Sequence, residues 1–148
     1  MQLLFSHDEE VAAFVASLIP GMDRGFGNNK AIGILDKDGL LIAGLVYHNW
    51  QPEFGTIELT GAAINRRWMT RDVIQFMYDY PFLVCKCQLL IQNNSIRNAH
   101  LNEQLRRGGF CEYHIPRLKG RDEDGIMFTL TEEQWAKSPF NLRNRKKR

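Results

Sequence analysis

Ser95-Ile96-Arg97-Asn98-Ala99-His100-Leu101-Asn102-Glu103-Gln104-Leu105-Arg106-Arg107-Gly108-Gly109-Phe110 is the stretch on which the architecture turns. Ile96, Ala99 and Leu105 have helical spacing, and Gly108-Gly109 stops the helix, because glycine adopts the left-handed conformation that closes a last turn. The flanks are extended: Val84 to Ile91 before it, then Phe110 to Ile115 and Ile126 to Leu130, the last two joined by a polar Lys119 to Gly125 loop. A strand, a helix and a strand in succession ask for a sheet with a helix laid on its face.

Toward the N-terminus the same grammar continues. Thr70 is placed to cap a helix whose one face is Val73, Ile74, Met77 and Tyr78 and which Pro81 closes. Thr56-Ile57-Glu58-Leu59-Thr60 alternates polar with apolar residues, as a half-buried strand does, and this strand is expected to end near Ile64. Ala31 to Leu35 and Leu40 to Trp50 are apolar runs divided by Asp36-Lys37-Asp38-Gly39, a hairpin signal, and Gln51 to Gly55 turns the chain again. Ser6 and Glu9 have capping-box spacing ahead of Val11, Phe14, Val15 and Leu18, which predicts a first amphipathic helix ending at Pro20. Gly21 to Asn29, with three glycines, reads either as a connection or as a loosely ordered second helix. Thr131-Glu132-Glu133-Gln134-Trp135 begins a short terminal helix. No internal repeat is visible. A leading antiparallel meander followed by βαβ elements gives an α/β (α+β) class with a mixed central sheet flanked by helices.

At 148 residues the chain is long enough for one core and too short for two, so a single domain over 1–140 is expected. An apolar share of 44% argues against wholesale disorder and against fibrous classes. No apolar run nears the roughly 18 residues of a membrane helix, and Met1 to Ser6 lacks a basic leader, which predicts a cytoplasmic protein without membrane contact. Cys85, Cys87 and Cys111 are odd in number and lack metal or redox spacing, so they are expected to be reduced, mostly buried thiols. The net charge is +2, yet the five basic residues Arg143, Arg145, Lys146, Lys147 and Arg148 sit in 141–148, so the rest of the chain is net acidic. That segment is expected to be a basic, flexible tail, and any nucleic-acid contact is expected to run through it alone.

Two groups of residues carry a family likeness. The spacing Asn98-x-x-Leu101-x-x-x-Leu105-x-x-x-Gly109-Phe110, followed by Glu112, Arg117, Gly120, Asp122 and Asp124 and then Phe128 to Trp135, resembles the closing half of the GNAT (N-acetyltransferase-like) superfamily. Arg67-Trp68-Met69-Thr70-Arg71 with Tyr80-Pro81-Phe82 resembles a variant branch of it often carried by phages and prophages. The resemblance spans roughly Ala31 to Trp135 and implies a GNAT fold. It also implies acetyl-CoA as co-substrate and direct transfer of its acetyl group, in a ternary complex, to an amine on a small molecule or a protein.

The resemblance also implies site residues. The superfamily's glycine loop, which binds the coenzyme A pyrophosphate through bare amides, corresponds to Arg66 to Asp72, where no glycine stands. Thr70, Arg71 and Asp72 still offer amides at a helix N-terminus, where the dipole and open N–H groups favour an anion. Arg66, Arg67 and Arg71 add charge-assisted contacts, Ala63 and Ile64 fall where the strand is expected to part and admit the pantetheine, and Gly61 allows close approach. Asn98 matches the asparagine that contacts the coenzyme A arm, and Glu58 matches the carboxylate that serves as general base, directly or through a water. Plainer readings stand beside these: the arginines as a solvated face with Trp68 in the core, Glu58 as a surface carboxylate, Asn98 as an ordinary helix cap. Where the superfamily places a tyrosine to protonate the leaving thiolate, this chain has Leu105, so Tyr47, Tyr78, Tyr113 or solvent must serve, or catalysis has been lost and a GNAT-fold binding or structural protein remains. His48, His100 and His114 have no metal-site spacing.

Overall fold

The computed structural model describes residues 1–147; Arg148, the end of the expected tail, lies outside the described residues. Seven strands form one sheet: β1 (Gln2–Leu4), β2 (Asn29–Leu35), β3 (Leu41–Gln51), β4 (Thr56–Ala63), β5 (Leu89–Ser95), β6 (Cys111–Ile115) and β7 (Gly125–Thr131). Their spatial order is β1-β2-β3-β4-β5-β7-β6, and every neighbouring pair is antiparallel except β4 with β5. The helices are α1 (Asp8–Leu18), α2 (Arg71–Asp79), α3 (Ala99–Arg107) and α4 (Glu132–Lys137). Among the described residues no helix is long and apolar enough to cross a membrane.

One face of the sheet is covered by α2, α3 and α4 over a core of Leu45, Tyr47, Leu59, Val73, Met77, Tyr78, Leu90, Leu105, Phe128 and Trp135. The other face carries α1, whose Val11, Ala12 and Val15 pack with Ala31 and Val46. The sheet admits α1 at one spot because Gly33 and Gly44 are register partners there. A Cβ on Gly44 would stand 2.5 Å from Val15 Cγ2 and 2.9 Å from Val11 Cγ1, so only a residue without a side chain lets the helix lie this close.

Several local expectations are corrected. Ser6 takes a left-handed φ of 65°, and the N-cap is His7 with no side-chain cap bond, so the Ser6–Glu9 box does not form. Asp8 instead anchors the helix to the sheet by accepting from Ala31 N at 3.0 Å. The Gly21 to Asn29 stretch is a run of turns, not a second helix, since Gly21, Gly25 and Gly27 all have positive φ. Pro81 does not end the helical path: Tyr80–Val84 makes one further π-helical turn, closed by Cys85 N donating to Tyr80 O at 3.0 Å. Proline has no N–H for the Met77 carbonyl four residues earlier, and the Tyr47 hydroxyl donates to that oxygen instead, at 2.6 Å. Residues 85–88 are consequently irregular chain, and β5 starts at Leu89. It runs to Ser95, so α3 opens at Ala99 rather than at Ser95. Of the three thiols only Cys87 is fully buried, and Cys111 is exposed.

The segment after residue 140 begins as part of the body. Asn141 is buried, Leu142 N donates to Gln75 Oε1 at 2.8 Å, and the Arg143 guanidinium grips both Asp79 oxygens at 2.7 Å. The expectation of a free tail from 141 onward is therefore corrected at its first three residues: paired charge and amide bonds hold them.

Candidate functional site

β4 and β5 pair in parallel only over Thr56–Glu58 with Leu89–Ile91, although β4 runs on to Ala63 and β5 to Ser95. Beyond Glu58 the two strands part. In an extended chain paired antiparallel on one side, successive residues turn their N–H and C=O alternately to the two sides. Ile64 N donates to Ile42 O at 2.9 Å, which directs it toward β3, while Gly55 O accepts from Gln88 and Leu89 on the β5 side. By that alternation Gly61 and Ala63 turn their amides into the gap. Ala63 and Ile64 were both expected beside the parting strands; the Ile64 amide is already taken by Ile42.

Because the two parting strands are parallel, the helices that follow them begin at the same end of the gap. α2 is introduced by a 3-10 turn, Arg66–Trp68, in which Asn65 Oδ1 accepts from Arg67 N at 2.8 Å. Thr70 is the N-cap expected, its hydroxyl accepting from Val73 N at 3.3 Å, but its own N–H is spent on Trp68 O at 3.0 Å. Arg71 and Asp72 then supply the first helical amides, with no capping partner recorded among the described residues. Arg66, Arg67 and Arg71 are all exposed and none joins an ion pair among the described residues. Trp68 is half-buried against the core and its Cη2 lies 3.8 Å from where a Gly61 Cβ would be. So the arginines face solvent and the tryptophan packs inward over β4.

On the β5 side Asn98 is the N-cap residue of α3 by position, but it makes no side-chain cap bond and is exposed. Sequence reasoning passed over its neighbour Asn102, which is 1% exposed. Asn102 Nδ2 donates to Ser95 O at 3.1 Å, and Asn102 Oδ1 and Asn94 Nδ2 are buried without a partner. Polar atoms left so in a protein interior cost about 1–3 kcal/mol each, so they point to a missing partner. A polar residue within an apolar helical face was the signal available in the sequence. Leu105 is sealed in the core at 2% exposure. Tyr47 is bonded to Met77 and Tyr78 is enclosed by Phe110, Trp135 and Phe140 with Gln92 as partner, and burial raises both phenols above their ordinary range.

Where the gap opens, the face that carries α1 bears a polar row. His48 of β3 is the register partner of Glu58 on one side and of Asn29 of β2 on the other. Asn49 Nδ2 donates to Glu58 Oε1 at 2.9 Å, and His48 Nε2 meets Thr60 Oγ1 at 2.9 Å. His48 Nδ1 stands 4.0 Å from Glu58 Oε2, the Phe26 ring lies 5.0 Å from the imidazole, and Asn29 Oδ1 is buried without a partner. Burial lowers the His48 pKa below its ordinary 6.5, with Glu58 pulling the other way. Glu58 was expected in the site; Asn29, Asn49, Thr60 and Phe26 were not, because their proximity depends on strand register. None of these residues lines the cavity of about 370 Å³ formed by Phe82, Leu83, Trp135, Ala136 and Arg143 with Glu132 and Asn141.

No family model matches the sequence, and no curated protein matches it. Solved structures do. A point mutant of spermidine N-acetyltransferase SpeG from Vibrio cholerae superposes with a TM-score of 0.73 at 12% identity, covering 91% of this chain and 97% of that one. The spermidine/spermine N-acetyltransferase SpeG of the same organism, in complex with manganese ions, gives 0.73 at 12% identity over 92% and 95%. A dodecameric structure of the Vibrio cholerae spermidine N-acetyltransferase gives 0.72 at 12% over 90% and 95%. The fold is the GNAT fold. The gap has an open β4 edge, a glycine at Gly61 and orphaned amides at Asn94 and Asn102, which offer both donors and acceptors to an amide-bearing chain.

Proposed function

We propose that this protein transfers the acetyl group of acetyl-CoA directly to an amine, in a ternary complex assembled across the β4–β5 gap. The observation that carries the reading is the end of β4–β5 pairing at Glu58 and Ile91. It leaves a slot through the sheet whose edge amides, at Gly61 and Ala63, are free to bond a thioester carbonyl and its pantetheine arm. Arg66, Arg67, Arg71 and the α2 N-terminus form the cationic end for the pyrophosphate, with Asn98 and Asn102 on the opposite bank. Glu58 opens onto the other face, where the amine arrives and must lose a proton before it attacks. The thioester carbonyl oxygen, as it gains charge, is stabilised by a β4 amide.

A second reading, a GNAT-fold protein that binds without catalysis, draws on one observation: Leu105 is buried where the resemblance puts an acidic tyrosine, and Tyr47 and Tyr78 are committed elsewhere. The deciding experiment titrates acetyl-CoA and free coenzyme A into wild type and Arg67→Ala, following binding heat and melting temperature. Ligand at a hundredfold its Kd stabilises the native state by about 2.7 kcal/mol, several degrees for a domain of this size. Saturable binding, weakened in Arg67→Ala, supports the phosphate end of the site, and transfer to amines that falls in Glu58→Gln supports catalysis. Binding without turnover favours the second reading, and no binding at millimolar ligand overturns the first.

A further inference from the structure

We infer that His48 and Glu58 form an ammonium clasp for the acceptor, in which His48 Nδ1 takes the proton and Glu58 Oε2 holds the charge. The inference rests on the acetyltransferase reading and deepens it, by assigning the base and by giving the acceptor's charge state on arrival, an ammonium with at least two N–H bonds.

Each side chain has one atom committed and one open. Glu58 Oε1 is bonded by Asn49 Nδ2 and His48 Nε2 by Thr60 Oγ1, both at 2.9 Å, so Oε2 and Nδ1 are left facing each other. They are 4.0 Å apart, too far for a hydrogen bond. A single nitrogen at about 2.9 Å from both fits between them, with the two contacts about 87° apart, roughly 20° inside the tetrahedral angle and within the range of bent hydrogen bonds. With Nδ1 unprotonated, the two atoms are acceptors with room for one N–H donor group between them. In the tautomer that the clasp uses, the Thr60 hydroxyl oxygen accepts the Nε2 proton and the lone pair is on Nδ1. The third acceptor of the row is Asn29 Oδ1, next to His48 in register, buried and unpartnered.

The surroundings suit proton transfer. The His48 and Glu58 side chains are 14% and 22% exposed, and Phe26 lies over the imidazole. The charged group facing His48 is Glu58 of β4; β2 presents neutral Asn29, β4 also neutral Thr60, and the α1–β2 connection neutral Phe26. Burial keeps His48 neutral at neutral pH, ready to accept, and Glu58 stabilises the imidazolium once formed. In the step, one ammonium proton passes to Nδ1, and the freed nitrogen lone pair attacks the thioester carbonyl. The C–N bond forms and the C–S bond breaks with its electron pair on sulfur. A second nitrogen proton neutralises the thiolate, and the imidazolium returns its proton to solvent.

The test uses the full chain with histidine ring nitrogens labelled, read by NMR, with n-butylamine as probe and tetramethylammonium, which has no N–H, as control. Butylamine at pH 7.5 is expected to shift the His48 Nδ1 resonance saturably, tetramethylammonium to leave it unmoved, and Glu58→Gln to weaken the butylamine effect about tenfold or more. In transfer from acetyl-CoA to butylamine, His48→Gln is expected to lower kcat about 100-fold or more with a smaller change in KM. The lower limb of the wild-type pH profile should follow the His48 titration seen by NMR. Equal responses to the two cations, or His48→Gln turning over at the wild-type rate with coenzyme A binding intact, would overturn the clasp while leaving the acetyltransferase reading in place. Failure of coenzyme A binding would remove that reading and the proton-transfer role, and the butylamine shift would then decide the ammonium site alone.

Discussion

Tyr47 and His48 are consecutive on β3 and serve opposite faces of the sheet, as strand alternation requires. Tyr47 is wholly buried toward α2, where its hydroxyl replaces the hydrogen bond that Pro81 cannot give to Met77. Tyr47→Phe should therefore leave a buried carbonyl unpaired and cost about 1–3 kcal/mol, read as a lower urea midpoint with unchanged slope. His48 faces the other way, and its folded-state pKa lies below the ordinary 6.5. Just below that pH the unfolded chain binds more protons than the folded one, so stability should fall as pH drops from about 6.5 toward the folded value. Melting curves from pH 7.5 to 5.5 should show wild type losing more than His48→Gln. Parallel curves would mean that His48 titrates alike folded and unfolded. Glu58 was legible as a candidate because it stands on the polar side of an alternating strand. Its partners were not, since nothing local in the sequence says which β3 residue will stand opposite.

At the scale of elements, α1 and the glycines beneath it form one unit. Gly44→Ala puts a methyl within 2.5 Å of Val15 Cγ2, so α1 must lift or the valines must leave their rotamers. We expect a loss of about 1–3 kcal/mol in chemical denaturation, and a loss below about 0.5 kcal/mol would show that α1 rides loosely on the sheet. The apolar face of α2 and its Thr70 cap were readable because helix spacing and cap chemistry are local, and the Thr131–Gln134 capping box of α4 formed for the same reason. Pro81 misled because the rule that proline ends helices presumes a bond four residues back, and here the chain steps to a five-residue bond while Tyr47 supplies the missing donor. The Ser6–Glu9 pattern misled because spacing says nothing of φ.

At the scale of the whole molecule, the chain past residue 140 locks the end of α2 to the rest. Deleting 141–148 would strip Asp79 of its bidentate guanidinium and Gln75 of the Leu142 amide. We expect a cost of about 1–2 kcal/mol, a fall in Tm of roughly 2–8 °C, partly reproduced by Arg143→Ala and smaller at high salt. An unchanged Tm would return these residues to the status of a free tail. The α/β class, most of the element order, the hairpin at 36–39 and the helix faces were legible along the chain, because periodicity and capping are properties of near neighbours in sequence. That β4 and β5 part after Glu58, that Ile64 turns its amide away from the gap, and that Asn29, His48 and Glu58 stand in one row became visible in the folded sheet. Those facts depend on register between strands, which is set by the packing of the whole sheet against its helices and is written in no single stretch of residues.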